Sequence, residues 1–298
     1  MLIRIAPALF VLLWSTGFLG TKLGSNGAEP FTFLVVRVSL VLAILVPLGW
    51  WIKSPRLEPA QRWHAMLVGV LMYTTYLGGV MWAMRAGMAS NVAALIVSLQ
   101  PVLTAAFAGI LLKEVITPRH WLGIALGLVG AALVIGPRLE ASLGTGASTG
   151  ITPATVFSAT IALFGITIGT IYQKRFTSGF DLVSGAIWQY VGALATLLPV
   201  ALIFETGHIE WTPGVIGALA WLVLVLSIGA TGLLMMLIRK NAVSRTSGLF
   251  YLVPGVTALM SLAMFGEKLT MVQLAGLIVV TVAVVLMQPA KQILPPAS

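Results

Sequence analysis

Residues 101–123 read PVLTAAFAGILLKEVITPRHWLG, and residues 254–276 read PGVTALMSLAMFGEKLTMVQLAG. Laid over each other at a shift of 153, Pro101 meets Pro254, Thr104 meets Thr257, Glu114 meets Glu267, Thr117 meets Thr270 and Gly123 meets Gly276, with no gap. Nearer the start the shift is 152, and Gly17 falls on Gly169, Lys22 on Lys174, Gly27 on Gly179, Glu29 on Asp181 and Pro47 on Pro199. Apolar matches arise by chance between any two membrane helices. Matched prolines, glycines, glutamates and lysines do not, so the chain reads as two copies of one unit.

Composition says what that unit is made of. Of 298 residues, 59% are hydrophobic and 8% charged, whereas a soluble domain carries about 25% charged residues. Such a chain has too little polar surface for water and needs lipid around it. The apolar runs are continuous rather than alternating, so they predict helices and not a barrel. At roughly 20 residues per span there is room for about ten. The expected spans are 5–21, 31–51, 63–85, 90–112, 119–136, 153–173, 182–204, 213–237, 246–265 and 271–288. Thr117-Pro118, Thr152-Pro153 and Thr212-Pro213 read as N-caps followed by proline at the first helical position, and Glu29-Pro30 and Glu58-Pro59 precede two further starts.

The fold class expected is thus an all-α integral membrane protein of ten transmembrane helices. Residues 1–137 form the first repeat, 138–152 a flexible Gly/Ser/Thr linker on the periplasmic side, and 153–298 the second repeat. Five spans per copy is an odd number, so the copies insert upside down relative to each other. Inverted repeats with a pseudo-two-fold axis in the membrane plane mark transporters, because the halves can exchange conformations.

The net charge of +9 is not a nucleic-acid signal, because the basic residues sit in short clusters between apolar runs. With the N-terminus placed in the cytoplasm, twelve Lys and Arg fall on inside segments, four on outside loops and one, Arg37, within a span. That bias puts both termini inside. Arg4 followed by an apolar run looks like a signal peptide, but there is no clear small-x-small cleavage site and the run aligns with a later helix. Cysteine is absent, so there is neither a disulfide nor a thiolate metal site, and no cofactor is expected.

The stretch WAMRAGMASNVAALIVSLQPVLTAAFAGILLKEVITPRHWLGIALGLVGAALVI (82–135) has a short break before a span, a mid-span proline, an acidic residue at the hairpin and a glycine-rich last span. It resembles the drug/metabolite transporter superfamily of EamA type, and RKNAVSRTSGLFYLVPGVTALMSLAMFGEKLTMVQLAGLIVVTVAVVLM (239–287) looks the same. Arg37 in the second span belongs to the likeness. The resemblance implies ten helices, two EamA repeats and export or exchange of small molecules across a bacterial inner membrane. Within the family the chain is most similar to the YddG amino-acid exporters, which implies aromatic and other neutral amino acids as substrates.

Polar groups inside spans cost free energy unless they are paired or face water, so they mark a candidate pathway. The candidates for a substrate cavity are Trp14, Ser15, Arg37, Tyr73, Tyr76, Ser98, Gln100, Thr167, Gln189 and Tyr251. Tyr73 and Tyr76 are three apart on one face and far from either aromatic belt. Most other tryptophans lie near span ends and read as belt residues. Arg37, matched with Gln189, either binds a substrate carboxylate or bonds helix carbonyls and snorkels. Pro101 and Pro254 break backbone bonding in mid-span and read as kinks shaping the cavity. Gly123-xxx-Gly127 and Gly165-xxx-Gly169 read as close helix packing. Glu114 and Glu267 precede a capping Thr by three residues and read as hairpin structure.

All eight carboxylates and all three histidines fall in loops or at span ends, so no buried acid for proton coupling is visible and facilitative transport is the expectation. An intramembrane enzyme would need a nucleophile and base, or a metal, at depth, and neither is present. A channel or receptor would not require an inverted repeat. The aromatic, nearly uncharged candidate cavity suits a zwitterion or neutral solute better than a sugar nucleotide, whose phosphates would call for several Lys or Arg. Other metabolites and hydrophobic cations stay open as alternatives. The expected partners are a small-molecule substrate and the lipid bilayer, with no nucleic acid, and a monomer is the expectation.

Overall fold

A helix satisfies every backbone polar group within its own segment, which is what a hydrocarbon solvent demands. In the computed structural model the apolar stretches accordingly wind into helices. The structure describes residues 2–97, 99–100, 103–104, 107, 118–119, 121–123, 125–130, 132–133, 150–230, 253–266 and 270–286. Among them run α1 (Leu2–Gly27), α2 (Pro30–Trp51), α3 (Pro59–Arg85), α4 (Ser90–Val97), α5 (Pro153–Phe176), α6 (Leu182–Phe204), α7 (Pro213–Ala230), α8 (Val253–Phe265) and α9 (Met271–Leu286). Five of these, α2, α3, α5, α6 and α7, are long and apolar enough to cross a bilayer. The one β-type pairing among the described residues is an isolated antiparallel bridge between Ala28 and Ile209. The linker 138–149, Glu114, Thr117 and Glu267 lie outside the described residues.

Helix ends depart from the hydropathy reading where the backbone outlasts the apolar signal. α1 was expected over 5–21 but continues to Gly27. Its polar last turns stay helical, with the Ser25 hydroxyl donating to the Lys22 carbonyl at 2.8 Å. α3 begins at Pro59 rather than 63, because Pro59 fills the first helical position and the Gln61 side chain accepts the Glu58 N–H at 2.9 Å. The threonine caps form as their spacing predicts. Thr152 Oγ1 accepts the Thr155 N–H at 3.2 Å, Thr212 Oγ1 that of Val215 at 3.3 Å, and Thr270 Oγ1 that of Gln273 at 3.2 Å.

The acids before α2 and α6 behave differently. Glu29 stands in the N-cap position of α2 but makes no cap there. Its carboxylate crosses to the α6–α7 connection and accepts the N–H groups of Thr206 and His208, both at 2.9 Å, and the Thr206 hydroxyl at 3.2 Å. Glu205 returns the favour, capping α2 from outside by accepting the N–H of Phe31 at 2.9 Å and of Thr32 at 2.6 Å. At the other end of the same helix pair, Asp181 accepts from the Ser54 hydroxyl and from the Ser184 N–H. The Ser184 hydroxyl donates to the Pro55 carbonyl at 2.6 Å. α2 and α6 are thereby fastened together at both ends.

These carboxylates set an acid limit on the fold. Desolvation pushes the carboxyls of Glu29 and Asp181 up, but hydrogen bonds outweigh it, from His208 and Thr206 on Glu29 and from Ser184 and Ser54 on Asp181. Both end below the usual carboxylate range. A group whose folded pKa is depressed adds stability that is complete above its unfolded value, about 4, and is lost as pH falls through the folded value. The melting temperature in detergent is therefore expected to hold from pH 7 to 5 and to drop below about 4. A Glu29→Gln/Asp181→Asn double variant starts lower at pH 7 and shows a shallower acid drop. An equally steep drop in that variant would place the acid sensitivity elsewhere.

Two apolar clusters form the interior. One joins α1, α3, α4 and α5 through Phe18, Val80, Met84, Val92 and Ile166, and the other joins α2, α6 and α7 through Phe33, Val38, Leu197, Val215 and Leu222. Glycines set the closest approaches between helices. A Cβ on Gly69 of α3 would stand 1.8 Å from the Gln189 carbonyl oxygen of α6, and one on Gly192 of α6 would stand 2.3 Å from the Met66 carbonyl oxygen. The α5–α3 approach is less tight, with a Cβ on Gly165 standing 2.9 Å from Thr75 and one on Gly169 standing 2.9 Å from Met72.

Candidate functional site

A cavity lies at the seam between the two apolar clusters. α1 lines it with Trp14, Gly17, Phe18 and Thr21, spaced so that they share one helical face. α2 contributes Arg37 and α6 contributes Tyr190. α3 contributes Met72, Tyr73, Tyr76, Leu77 and Val80, and α7 contributes Leu222, Leu226 and Ser227. The space between them is about 690 Å³, its open mouth included.

Two of the walls share an unusual local winding. Val70–Gly78 within α3 and Trp221–Ala230 within α7 are π-helical, with the wide i→i+5 bonding pattern. In the first, the Thr75 hydroxyl donates to the Val70 carbonyl at 3.2 Å. Runs of this kind are rare and concentrate at functional sites. Here both fall where the helix passes the cavity.

Polar chemistry in the cavity centres on Arg37, whose residue is 6% exposed. Its Nη2 donates to the Ser227 hydroxyl at 3.2 Å, joining α2 to α7. Tyr73, Tyr76 and Tyr190 lie within electrostatic reach of the guanidinium. The Tyr73 and Tyr190 rings stack at a tilt with centroids 4.5 Å apart. Among the described residues the cavity holds one cation, three phenols, an indole and two small hydroxyls, with no carboxylate. No group of three or more His, Asp or Glu among the described residues could hold a metal ion.

Of the residues singled out from sequence, Trp14, Arg37, Tyr73 and Tyr76 come together here. Four others stand away from the lining. Ser15 is fully buried beside Trp14 on α1, and the Thr167 hydroxyl bonds back to the Leu163 carbonyl at 2.7 Å. Gln100 Nε2 donates to the Thr170 hydroxyl at 3.0 Å, and Gln189 turns its carbonyl toward Gly69. Ser98, Pro101 and Tyr251 lie outside the described residues, and Pro254 is the second residue of α8 as described. Sequence reasoning passed over Thr21 and Ser227, and it chose Gln189 for the cavity where the structure places Tyr190. Thr21 was within reach, since it repeats the face of Trp14 at two helical turns. Tyr190 is the neighbour of Gln189, and only the packing of α6 decides which of the two turns inward.

The model of the EamA-like transporter family matches residues 4–136 and again residues 153–288. The "Uncharacterized inner membrane transporter YedA" of Escherichia coli (strain K12) is 28% identical over 99% of this chain and 94% of its own length. A "Probable amino-acid metabolite efflux pump" of Salmonella typhimurium is 24% identical over 91% of this chain and 90% of its own. A solved crystal structure superposes with a TM-score of 0.63 over 96% of both chains at 16% identity, a likeness of fold alone. Long apolar helices around a polar cavity, with the family pattern running across nearly the whole sequence, make this chain a membrane transporter, not an enzyme, and a member of the EamA-like transporter family.

Proposed function

We propose that this transporter exports small carboxylate-bearing metabolites, foremost aromatic and other neutral amino acids, from the cytoplasm across a bacterial inner membrane. The observation that carries the reading is the cavity itself, which sets one guanidinium among Trp14, Tyr73, Tyr76 and Tyr190. Aromatic walls take an apolar side chain, and the guanidinium takes a carboxylate. The name of the Salmonella relative, a probable amino-acid metabolite efflux pump, supports an amino-acid metabolite as cargo. A fixed positive charge in the cavity disfavours the alternative of hydrophobic cationic drugs.

The mechanism proposed is alternating access between two inverted five-helix halves, with both termini in the cytoplasm. Matched positions support it. At the shift of 152, Glu29 corresponds to Asp181 and Ser54 to Thr206, so the Glu29–Thr206 and Asp181–Ser54 bonds are counterparts at opposite ends of α2 and α6. The π-helical stretches of α3 and α7 correspond in the same way. Facilitative exchange rather than coupling to a buried acid follows from the absence of in-span carboxylates in the sequence.

The test is counterflow of radiolabelled phenylalanine in liposomes holding the purified protein. Saturable exchange is expected, competed by other neutral amino acids. Trp14→Ala and Tyr76→Ala, which strip the aromatic wall, should each reduce it about tenfold, in line with loss of roughly 1.4 kcal/mol of binding. Flux that is absent for every amino acid in a neutral and aromatic panel sinks the proposed cargo.

A further inference from the structure

Arg37 carries five N–H donors and spends one on Ser227. Among the described residues Tyr73, Tyr76 and Tyr190 stand within electrostatic reach of it and no acid stands in the cavity. The chain's eight carboxylates all fall outside its apolar runs. A buried cation without a counter-charge is costly, and is retained where a ligand brings the missing charge. A carboxylate suits the guanidinium fork because it accepts two parallel N–H bonds, whereas a phosphate, which pairs in the same way, carries further charge for which the described cavity has no second cation.

The amino group of an α-amino acid meets the opposite situation. It sits within a few ångströms of its own carboxylate and so is carried close to Arg37. No acid in the described cavity receives it. The rings of Trp14, Tyr73 and Tyr76 offer cation–π attraction, and the guanidinium opposes it with like charge. We infer that Arg37 is the anchor for the carboxylate of the cargo, that the ammonium is not recognised, and that the substrate class extends to aromatic monocarboxylates lacking an amino group. The inference rests on the cavity being the transport site.

The test is a titration of the purified full-length protein in detergent, by calorimetry, with four probes sharing one benzyl group: phenylalanine, 3-phenylpropanoate, phenethylamine and phenylalaninamide. 3-Phenylpropanoate should bind within about threefold of phenylalanine or more tightly, and the two probes without a carboxylate at least tenfold more weakly. Arg37→Gln should raise the Kd of both carboxylates at least tenfold, and Arg37→Lys should recover part of the loss, with apo melting curves showing that each variant is folded. Phenethylamine binding as tightly as 3-phenylpropanoate, phenylalanine binding without 3-phenylpropanoate, or no binding by any probe overturns the inference, and these arms need no variant. Unchanged affinity in a folded Arg37→Gln overturns it as well. Phenylalanine counterflow that survives Arg37→Gln would sink the anchor and leave the transporter standing, whereas the expected binding pattern without flux would sink the transport reading alone.

Discussion

Gly69→Ala is expected to abolish transport and to cost about 3 kcal/mol of stability, the upper end for overpacking. The added methyl would lie 1.8 Å from the Gln189 carbonyl oxygen, a backbone atom that cannot turn aside. α3 and α6 would have to separate by more than an ångström. That movement would part Tyr73 from Tyr190, whose rings stack across the same interface at 4.5 Å. Gly192→Ala should do nearly the same from the other helix, where the methyl meets the Met66 carbonyl oxygen at 2.3 Å. Gly217→Ala is the control. It is an exposed position on α7 with nothing within 4 Å of the new atom, and helix propensity favours alanine there by up to about 1 kcal/mol. Melting curves and counterflow on the three variants check the prediction. A Gly69→Ala protein with wild-type melting would mean that the α3–α6 crossing has room to spare.

Arg37→Met should act in opposite directions on stability and on transport. An arginine inside a span costs about 3 kcal/mol on insertion scales, and replacing a buried charge by an apolar side chain of similar length is often stabilising by roughly 1–4 kcal/mol. In the unliganded protein the guanidinium recovers one bond to Ser227, which offsets only part of that cost. The variant is therefore expected to melt higher by several degrees, a gain of about 2 kcal/mol, and to lose at least nine-tenths of its phenylalanine counterflow. A lower melting temperature would show that Arg37 holds the fold together instead of serving the cavity.

How much of this was legible beforehand depended on the distance over which each feature is decided. Caps at Thr152, Thr212 and Thr270 are settled within four residues, and the structure forms them where the spacing placed them. Tyr73, Tyr76 and Arg37 could be singled out because polar groups in an apolar run need a reason to be there. Ser15 and Gln189 met the same criterion, yet each sits one residue, a turn of about 100°, from the side chain that lines the cavity. The crossing of the Glu29 and Glu205 carboxylates, each to the backbone of the other's segment, was beyond local reasoning, since the partners are more than 170 residues apart in the chain. The π-helical winding of α3 and α7 leaves no compositional mark, because Val70–Gly78 and Trp221–Ala230 read as ordinary apolar helix.

The placement of the nine tryptophans has a spectroscopic consequence. Trp50, Trp51, Trp63, Trp82, Trp121, Trp211 and Trp221 are exposed on the outside of the protein, while Trp14 lines the cavity. Brominated acyl chains quench indoles they can touch. In such lipids the emission that survives comes chiefly from Trp14 and the half-buried Trp188, so the unlabelled protein carries its own optical reporter of what enters the cavity.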